Sequence, residues 1–122
     1  MSMQPCVLIV EDEIFLALEL EDAMTELGFH VSGLAPTSDR ARSLAQSEAP
    51  DLVLMDVCLE GGREGIETAR WMRDVCGAEI VFVTGQTDRD TCERIKTRVP
   101  GAPVLNKPIN HRRLADTVAA VL

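Results

Sequence analysis

A chain of 122 residues suits a single domain with a core of its own, and 46% hydrophobic and 26% charged residues are ordinary for a soluble globular protein. The longest apolar runs are four or five residues, too short to cross a bilayer, and "MSMQP" at the N-terminus lacks the basic and apolar regions of a secretory signal; a cytoplasmic protein without membrane insertion is expected. A net charge of −8 argues against nucleic acid as a direct ligand.

Apolar runs of strand length alternate with helical patterns. Cys6–Val10 is a continuous apolar run, followed by a helix to Leu27 with Leu16, Leu20, Ala23, Met24 and Leu27 at three- and four-residue spacing. Gly28 is a helix stop. His30–Ala35 reads as a short strand, and Ser38 can cap a helix to about Glu48 with Ala41, Leu44 and Ala45 inward. "LVLM" (Leu52–Met55) is a second fully apolar run, ended by Asp56, and "EGGREG" is a glycine-rich loop. Ile66–Val75 is helical. "IVFV" (Ile80–Val83) runs into Thr84-Gly85, and a polar helix follows from Asp88 to Arg98, with Cys92, Ile95 and Val99 as its weak apolar side. "PGAP" turns the chain into Val104–Leu105, which leads to Asn106-Lys107-Pro108. Asn110 can cap a last helix carrying Leu114, Val118 and Val121 on one face.

Five β-α units with strands apolar on both faces imply a parallel sheet covered by helices on both sides. In such sheets ligands bind beyond the carboxyl ends of the strands. Glu11, Asp12, Glu13, Asp56, Thr84 and Lys107 each follow or close an apolar run and so share that edge. Gathered carboxylates repel, by about 1 kcal/mol per pair at ~4 Å in water and about 4 at an effective dielectric of 20. A hard divalent cation with oxygen ligands relieves this, and Mg²⁺ keeps waters for a further ligand. A carboxylate, a cation, the Lys107 ammonium and the Thr84 hydroxyl, with Gly85 leaving room, suit phosphoryl transfer to Asp56 as nucleophile.

Each of these residues has a plainer reading: a strand-end aspartate facing water, acids favouring a helix N-terminus, a locally bonded hydroxyl, a solvated lysine. Glu13 is assigned only the helix N-terminus. Cysteines 6, 58, 76 and 92 are widely spaced with no C-x-x-C pair, which reads as reduced, mostly buried side chains and argues against zinc. His30 and His111 read as surface residues and Trp71 as partly packed. Charge is uneven: no Lys or Arg precedes Arg40, whereas basic residues outnumber acids from Arg89 to Arg113. Ile14, Phe15 and Leu18 form a second apolar set on the first helix, either part of a broad buried stripe or a docking surface ringed by Glu19 and Asp22.

Taken together, "VLIVEDE", "LVLMDV", "VFVTG" and "NKPI", in that order on five β-α units, resemble a bacterial response-regulator receiver domain along essentially the whole chain. The resemblance implies a three-layer, doubly wound (βα)5 fold of flavodoxin-like type, with a five-stranded parallel sheet of order 2-1-3-4-5. It implies Asp56 as phospho-acceptor. Glu11, Asp12, Asp56 and the backbone carbonyl of Cys58 would hold Mg²⁺, or Mn²⁺ in its stead. Thr84, Gly85 and Lys107 would bind the phosphoryl group and act as the switch. The Cys58 side chain and Gln86 would tune the lifetime of the phosphoryl bond, and Lys107-Pro108 would be cis. The implied partner is a histidine kinase or histidine phosphotransfer protein, and the implied role is a phosphorelay switch, not an enzyme on external substrates.

Residues 1–122 are expected to form one receiver domain with no output domain in the chain; the alternative is a receiver fragment of a hybrid kinase or larger regulator. Val104 stands where the family often has an aromatic and the chain has no Tyr, so the usual threonine–aromatic switch cannot operate in its common form. Glu60 replaces the usual proline after the acceptor. A haloacid-dehalogenase-type hydrolase would need an acid where Cys58 stands, and a flavodoxin-like binder needs a phosphate loop where "EDE" would repel phosphate.

Overall fold

The computed structural model describes residues 4–59, 64–85 and 88–122. In chain order the elements are β1 (Cys6–Val10), α1 (Ile14–Glu26), β2 (His30–Ala35), α2 (Ser38–Ser47), β3 (Leu52–Met55), α3 (Glu64–Cys76), β4 (Glu79–Thr84), α4 (Arg89–Arg98), β5 (Val104–Asn106) and α5 (His111–Val121). The strands form one parallel sheet of order β2-β1-β3-β4-β5.

Successive side chains of a strand point to opposite faces, so a strand buried on both sides feeds two cores. Val7 and Ile9 of β1, Leu52 and Leu54 of β3, and Val81 and Val83 of β4 pack against Ala17, Leu20 and Met24 of α1 and Leu114 and Val118 of α5. The intervening residues Leu8, Val10, Val53, Met55, Ile80 and Phe82 pack against Ala41 and Ala45 of α2, Ile66, Ala69 and Met72 of α3, and Ile95 of α4. Two helices therefore cover one face and three the other.

Helix starts differ from the expected pattern: α3 begins at Glu64 instead of Ile66, and the cap of α2 shifts by one residue. Thr37, not Ser38, caps α2: Thr37 is extended (φ −134°, ψ 160°) and its hydroxyl accepts from the Arg40 N–H at 3.1 Å. Ser38 is already helical, and its Oγ accepts instead from the buried Thr68 hydroxyl of α3 at 2.9 Å. Asp88 and Asn110 cap α4 and α5 through Thr91 N–H and Arg113 N–H. Gly28 follows the end of α1 with φ +93°, the left-handed turn that a glycine adopts without steric cost. Leu27, expected on the inner face, lies past the last turn and is exposed.

Arginines of α3 reach the end of α4. Arg70 donates to the Arg98 carbonyl at 3.2 Å and Arg73 to the Pro100 carbonyl at 2.7 Å, while the Arg98 guanidinium grips the Glu67 carboxylate with two bonds of 2.9 and 2.7 Å. Trp71 is partly buried, with the Arg42 guanidinium 5.8 Å from its ring centroid. Among the described residues no helix is long and apolar enough to cross a membrane.

Candidate functional site

The ladder hydrogen bonds continue past the strand ends and fix the site. Val10 pairs with Met55, and the Asp56 N–H donates to the Val10 carbonyl at 2.9 Å, so the acids after β1 sit beside Asp56. The Glu11 N–H donates to the Ala35 carbonyl at 2.9 Å. Thr84 pairs with Asn106, and the Lys107 N–H donates to the Thr84 carbonyl at 3.1 Å. Lys107-Pro108 is cis, as the resemblance implied.

These constraints gather carboxylate oxygens of Glu11, Asp12 and Asp56 within 4.8 Å of one another. Glu11 and Asp56 are each only 3% exposed, whereas Asp12 is open to solvent. Asp56 Oδ1 accepts from the Cys58 N–H at 3.1 Å, and Oδ2 accepts from Lys107 Nζ at 3.3 Å. Glu11 Oε2 accepts from the Glu13 N–H at 3.1 Å and from Lys107 Nζ at 3.3 Å. Glu13, read from the sequence only as a helix start, sends its own carboxylate to Lys107 Nζ at 2.8 Å and makes no side-chain cap bond to α1. Its participation was hidden because nothing separates it from its neighbours in "EDE". Asp12, Glu13, Asp56, Cys58, Thr84, Gly85 and Lys107 line a hollow of about 290 Å³. Thr84 is fully buried, and a Cβ on Gly85 would meet nothing within 4 Å. Gln86 and Glu60 lie outside the described residues.

Burial pushes the Glu11 carboxyl up; the Glu13 N–H pulls it down, Asp56 pushes it up and Lys107 pulls it down, leaving it at about 7. Burial acts to lower the Lys107 pKa, but hydrogen bonds to Glu13 and Glu11 and the charges of Asp56 and Glu11 outweigh it and hold the ammonium above its ordinary value. The donor set suits a hard cation: every converging ligand atom is a carboxylate oxygen. Glu11 Oε1 is buried and accepts no hydrogen bond among the described residues; Lys107 Nζ lies 3.1 Å away without hydrogen-bond geometry.

A hollow of this make-up, at the carboxyl edge of a 2-1-3-4-5 sheet, narrows the field of families. The sequence profile of the response regulator receiver domain matches residues 7–119. The chain belongs to that family. Receivers are signalling domains of two-component systems, not conventional enzymes, and they generally bind Mg²⁺ through acidic residues and receive signals from histidine kinases or phosphotransfer proteins. This receiver is 37% identical over 116 residues to the transcriptional regulatory protein PdtaR of Mycobacterium tuberculosis, an alignment covering 94% of this chain and 54% of PdtaR. It is 32% identical to the signal receiver domain of a modulated diguanylate cyclase from Desulfovibrio desulfuricans G20, with a TM-score of 0.87 and 98% and 94% of the two chains covered. The receiver domain of PhyR from Erythrobacter litoralis is 28% identical, with a TM-score of 0.82 over 97% of this chain and 89% of that one. The chain thus spans about half the length of PdtaR.

Outside the hollow, His30 and His111 are exposed and pair with Glu48 and Glu19. Cys6 is buried and Cys58, Cys76 and Cys92 are half-buried, less than the sequence suggested. Ile14, Phe15 and Leu18 are exposed at 57, 85 and 43%, so they do not belong to the buried stripe.

Proposed function

We propose that Asp56 accepts a phosphoryl group from a phosphohistidine of a histidine kinase or phosphotransfer protein. One observation carries the reading: the buried Asp56 carboxylate lies within 4.8 Å of Glu11 and Asp12 ligand atoms and 3.3 Å from the Lys107 ammonium. An Asp56 oxygen attacks phosphorus, the N–P bond of the phosphohistidine breaks, and its electron pair stays on the imidazole nitrogen. Lys107 exchanges a carboxylate contact for a phosphoryl oxygen, and the Thr84 hydroxyl donates to another, with Gly85 giving clearance. Glu11, Asp12, Asp56 and the Cys58 carbonyl hold Mg²⁺, or Mn²⁺, which when bound supplies positive charge against the phosphoryl oxygens. Water later cleaves the acyl phosphate, returning the carboxylate and inorganic phosphate. The Cys58 side chain and Gln86 set how fast water enters.

Ile14, Phe15 and Leu18, ringed by Glu19 and Asp22, form the face that meets the phosphoryl donor. Phosphorylation alters the surface around the β4–α4 loop, α4, β5 and α5, without an aromatic at Val104. The site works in the cytoplasm. A second reading, that this receiver serves a larger regulator or hybrid kinase, is favoured by its covering 54% of PdtaR.

The test is incubation with acetyl phosphate and Mg²⁺ followed by intact mass. One added phosphoryl group is expected, absent in Asp56→Asn and after chelation. A phosphoryl group that persists in Asp56→Asn would overturn the assignment.

A further inference from the structure

A second constellation lies at the opposite end of the sheet. Cys6 opens β1 and pairs in register with His30, which opens β2. Cys6 belongs to the same alternate set of β1 residues as Leu8 and Val10, whose face is covered by α2. Glu48 is the C-cap of α2 and so arrives over the same pair. The result is that Cys6 Sγ, a His30 ring nitrogen and a Glu48 carboxylate oxygen all lie within 4.8 Å of one another. His30 Nε2 stands 3.2 Å from Glu48 Oε2. The side chains of Ser32 and Glu48 lie beside the Cys6 thiol. Asp51 adds negative charge beside it, accepting from the Cys6 backbone N–H at 2.8 Å.

We propose that Cys6, His30 and Glu48 form a second cation site, for a borderline-soft divalent ion of the Zn²⁺ type. One sulfur, one nitrogen and one oxygen are the three donor types that Zn²⁺ accepts together. Mg²⁺ takes oxygen donors and keeps most of its waters, so the same set rejects the ion that suits the Asp56 hollow. The His30–Glu48 separation of 3.2 Å is close to the edge of a tetrahedral site, and solvent oxygen would complete the coordination. The bond to sulfur forms as the Cys6 S–H proton leaves to solvent. Cys6 and Glu48 bring two negative charges to the dication, and Asp51 a third nearby. Bound, the ion ties the starts of β1 and β2 to the end of α2, remote from the phospho-acceptor edge. The ordinary alternative is a surface His30–Glu48 ion pair beside a core cysteine.

Co²⁺ is the probe, titrated into reduced protein with excess Mg²⁺ present. The expected signal is one equivalent of Co²⁺ with a near-ultraviolet sulfur-to-cobalt charge-transfer band, displaced by Zn²⁺. The band should vanish in Cys6→Ser and persist in Cys58→Ser and Asp56→Asn, which separates this site from the carboxylate hollow. Because Cys6 is buried, His30→Ala and Glu48→Gln supply an independent arm at half-exposed positions. Each should weaken Co²⁺ binding about tenfold or more. Zn²⁺ should raise the melting temperature of the parent protein and not of His30→Ala. No charge-transfer band, a band that survives Cys6→Ser, or unaltered affinity in His30→Ala would each overturn the proposal.

Discussion

The Lys107 ammonium lies closer to Glu13, at 2.8 Å, than to Asp56, at 3.3 Å. The lysine that faces the acceptor is thus shared with a carboxylate that the acceptor chemistry does not need. Glu13's side chain is 64% exposed, so solvent screens the pair and the tether is worth no more than about 1 kcal/mol. Glu13→Gln should release Lys107 toward Asp56 and speed phosphorylation by acetyl phosphate by up to about fivefold. A time course of intact mass reads this directly, and an unchanged or slower rate would mean that the tether does not restrain the lysine.

Removing the lysine separates its two effects. Lys107 offsets the repulsion among Glu11, Glu13 and Asp56, and it competes with any cation for the same oxygens. In Lys107→Ala, Mg²⁺ affinity measured by calorimetry should hold or rise, while response of a cognate partner to phosphorylation weakens. Clearly weaker Mg²⁺ binding would contradict the charge argument.

Gly65 of α3 lies against the backbone that follows the acceptor strand. Its N–H donates to the Val57 carbonyl at 3.1 Å, and a Cβ there would overlap the Asp56 carbonyl oxygen and come within 2.8 Å of Val57 Cα and O. All are backbone atoms and cannot rotate away. Gly65→Ala should destabilise the domain by about 1–3 kcal/mol in urea unfolding and slow phosphorylation of Asp56. A variant that folds and reacts like the parent would show that the backbone yields there freely.

The Glu67–Arg98 pair predicts a pH signature. The Arg98 hydrogen bond holds the Glu67 carboxyl below its ordinary 4.5. A depressed carboxylate binds fewer protons folded than unfolded, so its stabilisation is present above pH 4.5 and fades as pH falls through the lowered value. Both side chains are nearly half exposed, so the effect is small. Glu67→Gln should melt slightly below the parent at neutral pH, and the two melting curves should converge in acid. A gap that widens in acid would assign the bond the wrong sign.

The fold was legible because parallel strands buried on both sides are written as unbroken apolar runs. "VLIV", "LVLM" and "IVFV" each sit inside a strand of the sheet. Ladder register then carried the following residues to one edge, so Asp12, Asp56, Thr84 and Lys107 could be grouped before any contact was known. Local competition was harder to read. Thr37 and Ser38 are both N-cap residue types, and the sequence does not show that the Ser38 hydroxyl is engaged by Thr68 of α3. Glu13 was missed because an acid at a helix start reads the same whether it faces solvent or reaches back to Lys107. Cys6, His30 and Glu48 share no spacing rule; a strand register and a helix end bring them together.

Arg70 and Arg73 hold the chain where α4 finishes and just beyond, at the Arg98 and Pro100 carbonyls. Both acceptors are main-chain carbonyls, so no side-chain substitution at position 98 or 100 removes this fastening.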